Sequence, residues 1–382
     1  MLSPSTRRYL LHLILFVLAI FTSILAGIEW IFGRAIFDVE QLTFGTWLEQ
    51  RHWLEGSKYA FALLGALTVH EFGHYFAAQY YRIKVTLPYY IPFWFFGFLL
   101  SIGTMGAFIR IKSPLASRKQ FFDIGIAGPL AGLLVGLGVL WYAYTHLPDA
   151  DYPQKMHIEA SQGANFEEGK STYFVVGKNL LILAFERYVV PEADKGKIPE
   201  AKEVHHYPFL FAGYLVLLFT VLNLMPIGQL DGGHILYGLL GRRLFNVVSP
   251  LLFIVFVFYA GLGLISLQTE EVSDLLLRLT FYAFFLFFTF RKVAGNLNGA
   301  WLLSLLVIAL QLATVFLFPQ AKGYSGWLAF AFILGRILGV YHPSARHEAP
   351  LGWGRKFLGW LTLIIFILCF SPYPIEIVLP EE

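Results

Sequence analysis

LTVHEFGHYFAAQYY, Leu67 to Tyr81, sets two histidines and a glutamate in a run that otherwise reads as apolar helix. Four residues at 100° each bring His70 and His74 to one face of such a helix, one turn apart, so both imidazoles can reach a single cation. Glu71, beside the first of them in the chain, can then reach a water on that cation and act as general base. His70-Glu71-Phe72-Gly73-His74 is therefore an HExxH motif. A charged side chain at mid-helix in a membrane costs about 2.5–3.5 kcal/mol on an insertion scale, so ionisable groups there usually serve ion or proton chemistry. The bland alternative is a pair of histidines hydrogen-bonded between helices, with Glu71 protonated.

The surroundings of this stretch are those of a membrane protein. The 382 residues are 57% hydrophobic, 18% aromatic and only 14% charged, and a mean hydropathy of +0.63 lies beyond ordinary soluble composition. The expectation is an all-α polytopic membrane protein of about eight or nine transmembrane helices, because successive apolar runs are each long enough to cross roughly 30 Å of hydrocarbon. They run from Tyr9 to Gly27, Tyr59 to Tyr81, Phe121 to Thr145, Tyr207 to Leu230, Val247 to Leu267, Leu275 to Phe290, Ala300 to Phe318, Gly326 to Val340 and Phe357 to Phe370. The first follows a basic flank and lacks a small-residue cleavage site, so it is read as a retained span. A net charge of +3 does not point to nucleic acid, since the basic residues cluster beside the apolar runs. Cys369, the single cysteine, excludes a disulfide framework and a cysteine-based zinc site.

Threading the runs with the amino terminus inside puts Arg7, Arg8, Arg110, Lys112, Arg118, Lys119, Arg242, Arg243, Arg291, Lys292, Arg346, Arg355 and Lys356 on one face of the membrane. The positive-inside rule makes that face the inner one. The acidic break Thr269 to Asp274 and the polar segment from His146 to His206 fall outside. His205-His206, at the end of that segment, reads as a solvated pair rather than as metal ligands.

Between Val85 and Ile111 the apolar text is broken by prolines and glycines, and GAFIRI alternates in strand fashion. Extended or irregular backbone at membrane depth persists only where protein or a wet cavity satisfies its amides. A membrane-embedded strand or re-entrant segment beside something polar is expected there. The glycines of GIAGPLAGLLVGLG, Gly125 to Gly138, lack the lysine-hydroxyl ending of a phosphate loop and read as a helix-packing surface.

Hydrolytic zinc takes three protein ligands and an open position. Membrane-level candidates for the third are Asp123, Glu186, Asp231 and His234. Asp231 lies in NLMPIGQLDGGH, Asn223 to His234, where Pro226 and Gly228 break the fourth run at a depth similar to that of HExxH; His234 is its rival.

HExxH followed at long separation by Asn223-Leu-Met-Pro226-Ile-Gly-Gln-Leu-Asp231-Gly232 resembles the two signatures of the site-2 protease family of intramembrane zinc metalloproteases. FDIGIAGPLAG, Phe122 to Gly132, and GTMGAFIRI, Gly103 to Ile111, look like family segments between them. The resemblance covers about Tyr59 to Gly233 and implies one zinc ion per chain (Zn2+) held by His70, His74 and Asp231. It further implies Glu71 as base, Asn223 at the substrate carbonyl or oxyanion, and Gly103 to Ile111 as a strand beside the site. Many members carry further prolines before the Leu-Asp pair, where Gly228-Gln229 stands here.

The expected organisation is a first helix and outer loop over 1–58, a catalytic membrane core over 59–240 that includes the soluble outer loop 146–206, and further transmembrane helices over 241–382. The expected function is zinc-dependent hydrolysis of peptide bonds in transmembrane segments of other proteins. The partners are then a substrate helix and the bilayer, with no nucleic acid, in a prokaryotic plasma membrane with the site opening to the cytoplasm. Rivals are an HExxH membrane protease of another family, which would leave NLMPIGQLDGG unexplained, a metal transporter, and a pseudoenzyme platform. A transporter predicts polar residues strung through successive spans, whereas these gather at one depth in two.

Overall fold

The computed structural model describes residues 4–38, 43–45, 47–95, 101–161, 173–265 and 272–378. The described residues are 68% helical, and the chain separates into two compact units, one of residues Met1–Pro114, Ala127–Leu222 and Ile364–Glu382, the other of Leu115–Ile126 and Asn223–Leu363. Every apolar run of the sequence carries a helix. Five helices among the described residues are long and apolar enough to cross a membrane: Thr6–Phe32, Arg118–Thr145, Arg242–Ala260, Val272–Ala294 and Leu297–Leu317. Pro208–Leu224 and Gly326–Leu338 are apolar but shorter. The integral membrane class is thus carried by five helices; of the eight or nine spans read from apolar runs, the second lies on a helix that is long (Gln50–Tyr80) but less apolar, and the fourth and eighth on shorter ones.

In the first unit, α1 (Pro4–Phe32) packs along α2 (Gln50–Tyr80). A two-residue pair, β1 (Phe37–Asp38) with β2 (Thr43–Phe44), connects them. After α2 the chain forms an antiparallel hairpin of β3 (Tyr89–Phe93) and β4 (Gly103–Phe108), with a register shift between Tyr90 and Pro92. The extended backbone expected in this region is therefore present as a paired strand over Gly103–Phe108, and Ile111 adds an isolated bridge to Val85.

The hairpin lies on α1, and side chains satisfy its backbone, as an apolar setting requires. Thr22 donates to the Gly103 carbonyl (2.6 Å), Trp30 to that of Ser101 (2.9 Å) and Tyr59 to that of Ile102 (3.0 Å). His12 Nδ1 meets the Pro88 carbonyl at 3.0 Å. Gly103 has φ +85°, and a Cβ on it would lie 2.2 Å from the Ser23 Cα, so only glycine lets strand and helix touch here. Buried Glu29 bridges the Ile36 amide (3.1 Å) and the Trp94 indole (2.9 Å) at the end of α1.

α3 (Arg118–Thr145) leads to the polar segment, which holds α4 (Tyr152–Ser161), β5 (Tyr173–Val176) and α5 (Leu180–Tyr188), then 3₁₀ turns at Glu192–Lys197 and Val204–His206. α6 (Pro208–Leu224) returns toward the apolar core. β5 pairs antiparallel with β6 (Ile375–Val378), which follows α12 (Trp353–Cys369), and the Asn179 amide donates to the Cys369 carbonyl at 2.9 Å. The core of this unit is one aliphatic and aromatic cluster, with Tyr59, Leu63, Phe211 and Leu217 fully buried.

The second unit contains α7 (Asp231–Leu240), α8 (Arg242–Ala260), α9 (Val272–Ala294), α10 (Leu297–Leu317) and α11 (Gly326–Phe332), which continues as one wider turn over Ile333–Leu338. Its cluster is built on Phe121, Leu236, Tyr237 and Phe245. Arg118 donates to the carbonyls of Gly238 (2.8 Å) and Leu239 (2.9 Å), supplying partners to the open carboxyl end of α7.

Candidate metal centre

The last three turns of α2 carry His70, Glu71 and His74, which are 5%, 8% and 8% exposed. The helical spacing delivers what it predicts: the Nε2 atoms of His70 and His74 stand 3.0 Å apart. Tetrahedral zinc with bonds of roughly 2.0–2.1 Å wants ligand nitrogens about 3.3 Å apart, so the two rings fit a shared ion. Thr68, one turn before, accepts or donates a 2.7 Å bond with the Tyr90 hydroxyl and ties this helix to β3.

Why the rings hold that geometry is visible on α3. A Cβ on Gly128 would lie 2.2 Å from His74 Nε2, and one on Gly132 would lie 2.9 Å from the His70 Cβ. From the other side, a Cβ on Gly73 would meet the Ala127 carbonyl oxygen at 2.5 Å. The glycines of AGPLAG are thus a seat for HExxH, in agreement with the small-residue packing read from the sequence.

Asp231 and Asn223 belong to the second unit. Asn223 is half-buried in the last turn of α6, which stops at Leu224 just ahead of Pro226. The chain then turns at Gly228, whose φ is +61° and whose Cβ would lie 2.1 Å from the Gly339 carbonyl oxygen. Ser249 braces this turn, accepting from the Gly228 amide (3.0 Å) and donating to the Val340 carbonyl (2.7 Å). Asp231 is the first residue of α7, half-buried, where the helix dipole favours a carboxylate. Gly232 follows within 1.9 Å, Cβ to oxygen, of the Leu224 carbonyl, so no side chain fits there.

The rival third ligands have other partners. Asp123 takes both arms of Arg355, at 2.7 and 2.9 Å, and Glu186 accepts from Lys178 at 2.8 Å. His234 Nδ1 is 2.7 Å from Nε2 of His342, a residue the sequence reading did not single out because no motif links the two. His206, read as solvated, is in fact 2% exposed: the turn that carries it folds back under α1, and its Nδ1 bonds the Ile31 carbonyl.

Comparison with known proteins bears directly on this centre. The profile of peptidase family M50 matches residues 58–267, which takes in both HExxH and NLMPIGQLDGG. The chain belongs to peptidase family M50, the site-2 proteases. A protein of Oryza sativa subsp. indica described as probable zinc metalloprotease EGY2, chloroplastic, is 26% identical over 222 residues, covering 54% of this chain and 36% of its own. The Arabidopsis thaliana protein described as probable zinc metalloprotease EGY1, chloroplastic, is 31% identical over 187 residues, 48% of this chain and 30% of its own. The chain thus spans about a third of the length of these relatives. No solved structure gives a significant match. The family is one of peptidases, and both relatives are described as probable zinc metalloproteases. The relatives' names place them in chloroplasts, so they lend no support to a prokaryotic plasma membrane.

Proposed function

We propose that the protein is an intramembrane endopeptidase whose zinc is held by His70, His74 and Asp231, and that it cuts transmembrane segments of other membrane proteins. The observation that carries the reading is the buried HExxH, with two ring nitrogens 3.0 Å apart, inside a chain of family M50. Asp231 is supported as third ligand by its family motif, by its place at a helix start and by the ion-pair partners of Asp123 and Glu186.

When bound, the metal supplies Lewis acidity toward the peptide carbonyl and lowers the pKa of water to about 7. Glu71, next to its ligand and buried, removes a proton from the attacking water and returns it to the leaving amine. Asn223 donates its amide N–H toward the carbonyl oxygen as charge builds there. A transmembrane substrate must first be unwound, because a helix satisfies its own peptide groups. β4 is the natural receiver for such a stretch, since an extended peptide can add to a strand edge through main-chain hydrogen bonds.

The test is cleavage of a reconstituted single-span substrate by wild type and Glu71→Gln, with zinc content measured on both. Loss of cleavage with zinc retained is the expected result; full cleavage by a zinc-loaded Glu71→Gln chain overturns the mechanism. The transporter alternative predicts zinc flux through sealed vesicles without peptide cleavage.

The basic residues beside the apolar runs support a site that opens to the inner face. Cysteines at exposed Gln229 and exposed Lys155, in a chain lacking Cys369, report this with an impermeant thiol reagent on intact cells. Labelling at Lys155 with protection at Gln229 is expected, and the reverse pattern inverts the topology.

A further inference from the structure

The polar segment contains a second constellation that the protease reading does not use. His157 on α4, with Glu203 and His206 in and beside the 3₁₀ turn before α6, present ligand atoms that all lie within 4.8 Å of one another. His157 Nε2 is 2.9 Å from Glu203 Oε2, and His206 Nε2 is 3.6 Å from the same oxygen. These separations bracket the roughly 3.3 Å between ligand atoms around tetrahedral zinc.

Two further features separate this group from an ordinary ion pair. His206 Nε2 is buried with no hydrogen-bond partner, although its ring is only 2% exposed. A buried polar atom left so is costly and calls for an explanation. Its other nitrogen, Nδ1, bonds the Ile31 carbonyl and therefore carries the ring proton, which leaves the Nε2 lone pair turned toward Glu203. A ring nitrogen fixed by a backbone carbonyl is how ligating histidines are commonly oriented.

We propose that His157, Glu203 and His206 form a second zinc site, which clamps α4 to the turn entering α6. Two imidazoles with one carboxylate suit a divalent transition ion over calcium or magnesium. The ion ties together pieces distant in sequence. His206 stands two residues before α6 and is anchored on the end of α1, the Tyr152 hydroxyl donates to the His206 carbonyl (3.3 Å), and Tyr152 packs on Tyr207. Zinc at this place would lock α4 against the start of the helix that carries Asn223.

The full-length protein, dialysed against buffered zinc and measured by mass spectrometry of the metal, separates the two centres. Wild type is expected to hold two zinc ions per chain, His157→Ala one and Glu203→Gln one. His74→Ala is expected to hold one and His74→Ala/His157→Ala none. Because His74→Ala lacks the HExxH pair, zinc retained there belongs to the outer site whatever becomes of the protease reading. His157 is half-exposed, so its replacement leaves the fold in place. In the His74→Ala background zinc should also raise the thermal midpoint, and the added His157→Ala should remove that rise. Equal zinc content in wild type and His157→Ala, or in His74→Ala and the double variant, overturns the second site.

Discussion

The HExxH turns of α2 and the His157, Glu203, His206 group of the polar segment offer similar donors by opposite routes. In α2, one helix repeat sets both imidazoles, and neighbouring glycines of α3 only keep the space clear. In the polar segment the closest pair is separated by 46 residues, and a helix, a turn and the end of α1 must all be in place before the ligand atoms meet. A site written on one helix is announced by spacing alone. A site assembled from three elements looks, in the sequence, like scattered histidines.

The comparison breaks first at Glu71. Glu71→Gln should lower turnover by about 10²–10⁴-fold, the usual weight of a positioned acid-base group, with zinc at the α2 site unchanged. Substantial cleavage would mean that the motif holds metal without using its glutamate.

Asn223→Ala comes next, with an expected loss of about 10²–10³ in turnover at unchanged zinc content, as for removal of an oxyanion donor. If Asn223 instead makes only a helix-to-helix hydrogen bond, worth on average about 0.6 kcal/mol in a membrane bundle, cleavage per zinc-loaded enzyme stays near the wild-type value. That ratio decides whether Asn223 belongs to the chemistry.

A methyl group tests the glycine seat. Gly128→Ala would put a carbon 2.2 Å from His74 Nε2, and overpacking of about 1–3 kcal/mol translates into roughly tenfold to a hundredfold weaker zinc retention at that site. Gly138, in the same helix with nothing within 4 Å of a built Cβ, is the control and should accept alanine without loss. Equal zinc affinity in the two variants would show that α2 holds its rings unaided.

The smallest effect on cleavage is expected from His157→Ala. It should remove the outer zinc while leaving turnover within about twofold, since a clamp on the polar segment adds rigidity rather than chemistry. A large fall in turnover, with the HExxH zinc still bound, would make the outer group a control point for α6 and sharpen the contrast between the regions.

The apolar runs were legible because helix in a hydrophobic setting follows from composition and length, and each run does carry a helix. The length of helix within each run was not: the fourth run reads on to Leu230, whereas α6 stops at Leu224. The break itself was visible, because Pro226 removes a backbone donor wherever it stands. His205-His206 looked like a solvated boundary pair, yet His206 is buried on the Ile31 carbonyl, a partner 175 residues away. His342, beside His234, left no trace in any motif.

What the sequence by itself determined is what depends on near neighbours: the paired histidines and adjacent glutamate of α2, the membrane class, and a break placing Asp231 after Pro226. Tertiary structure alone decided the glycine seat under His74, the pairing of β3 with β4 and the claim of Arg355 on Asp123 across 232 residues. It also brought His157, Glu203 and His206 together. The reason is geometric: helical periodicity relates residues within a few turns, while contacts between distant elements depend on which surfaces come together on folding, and no spacing in the chain records that.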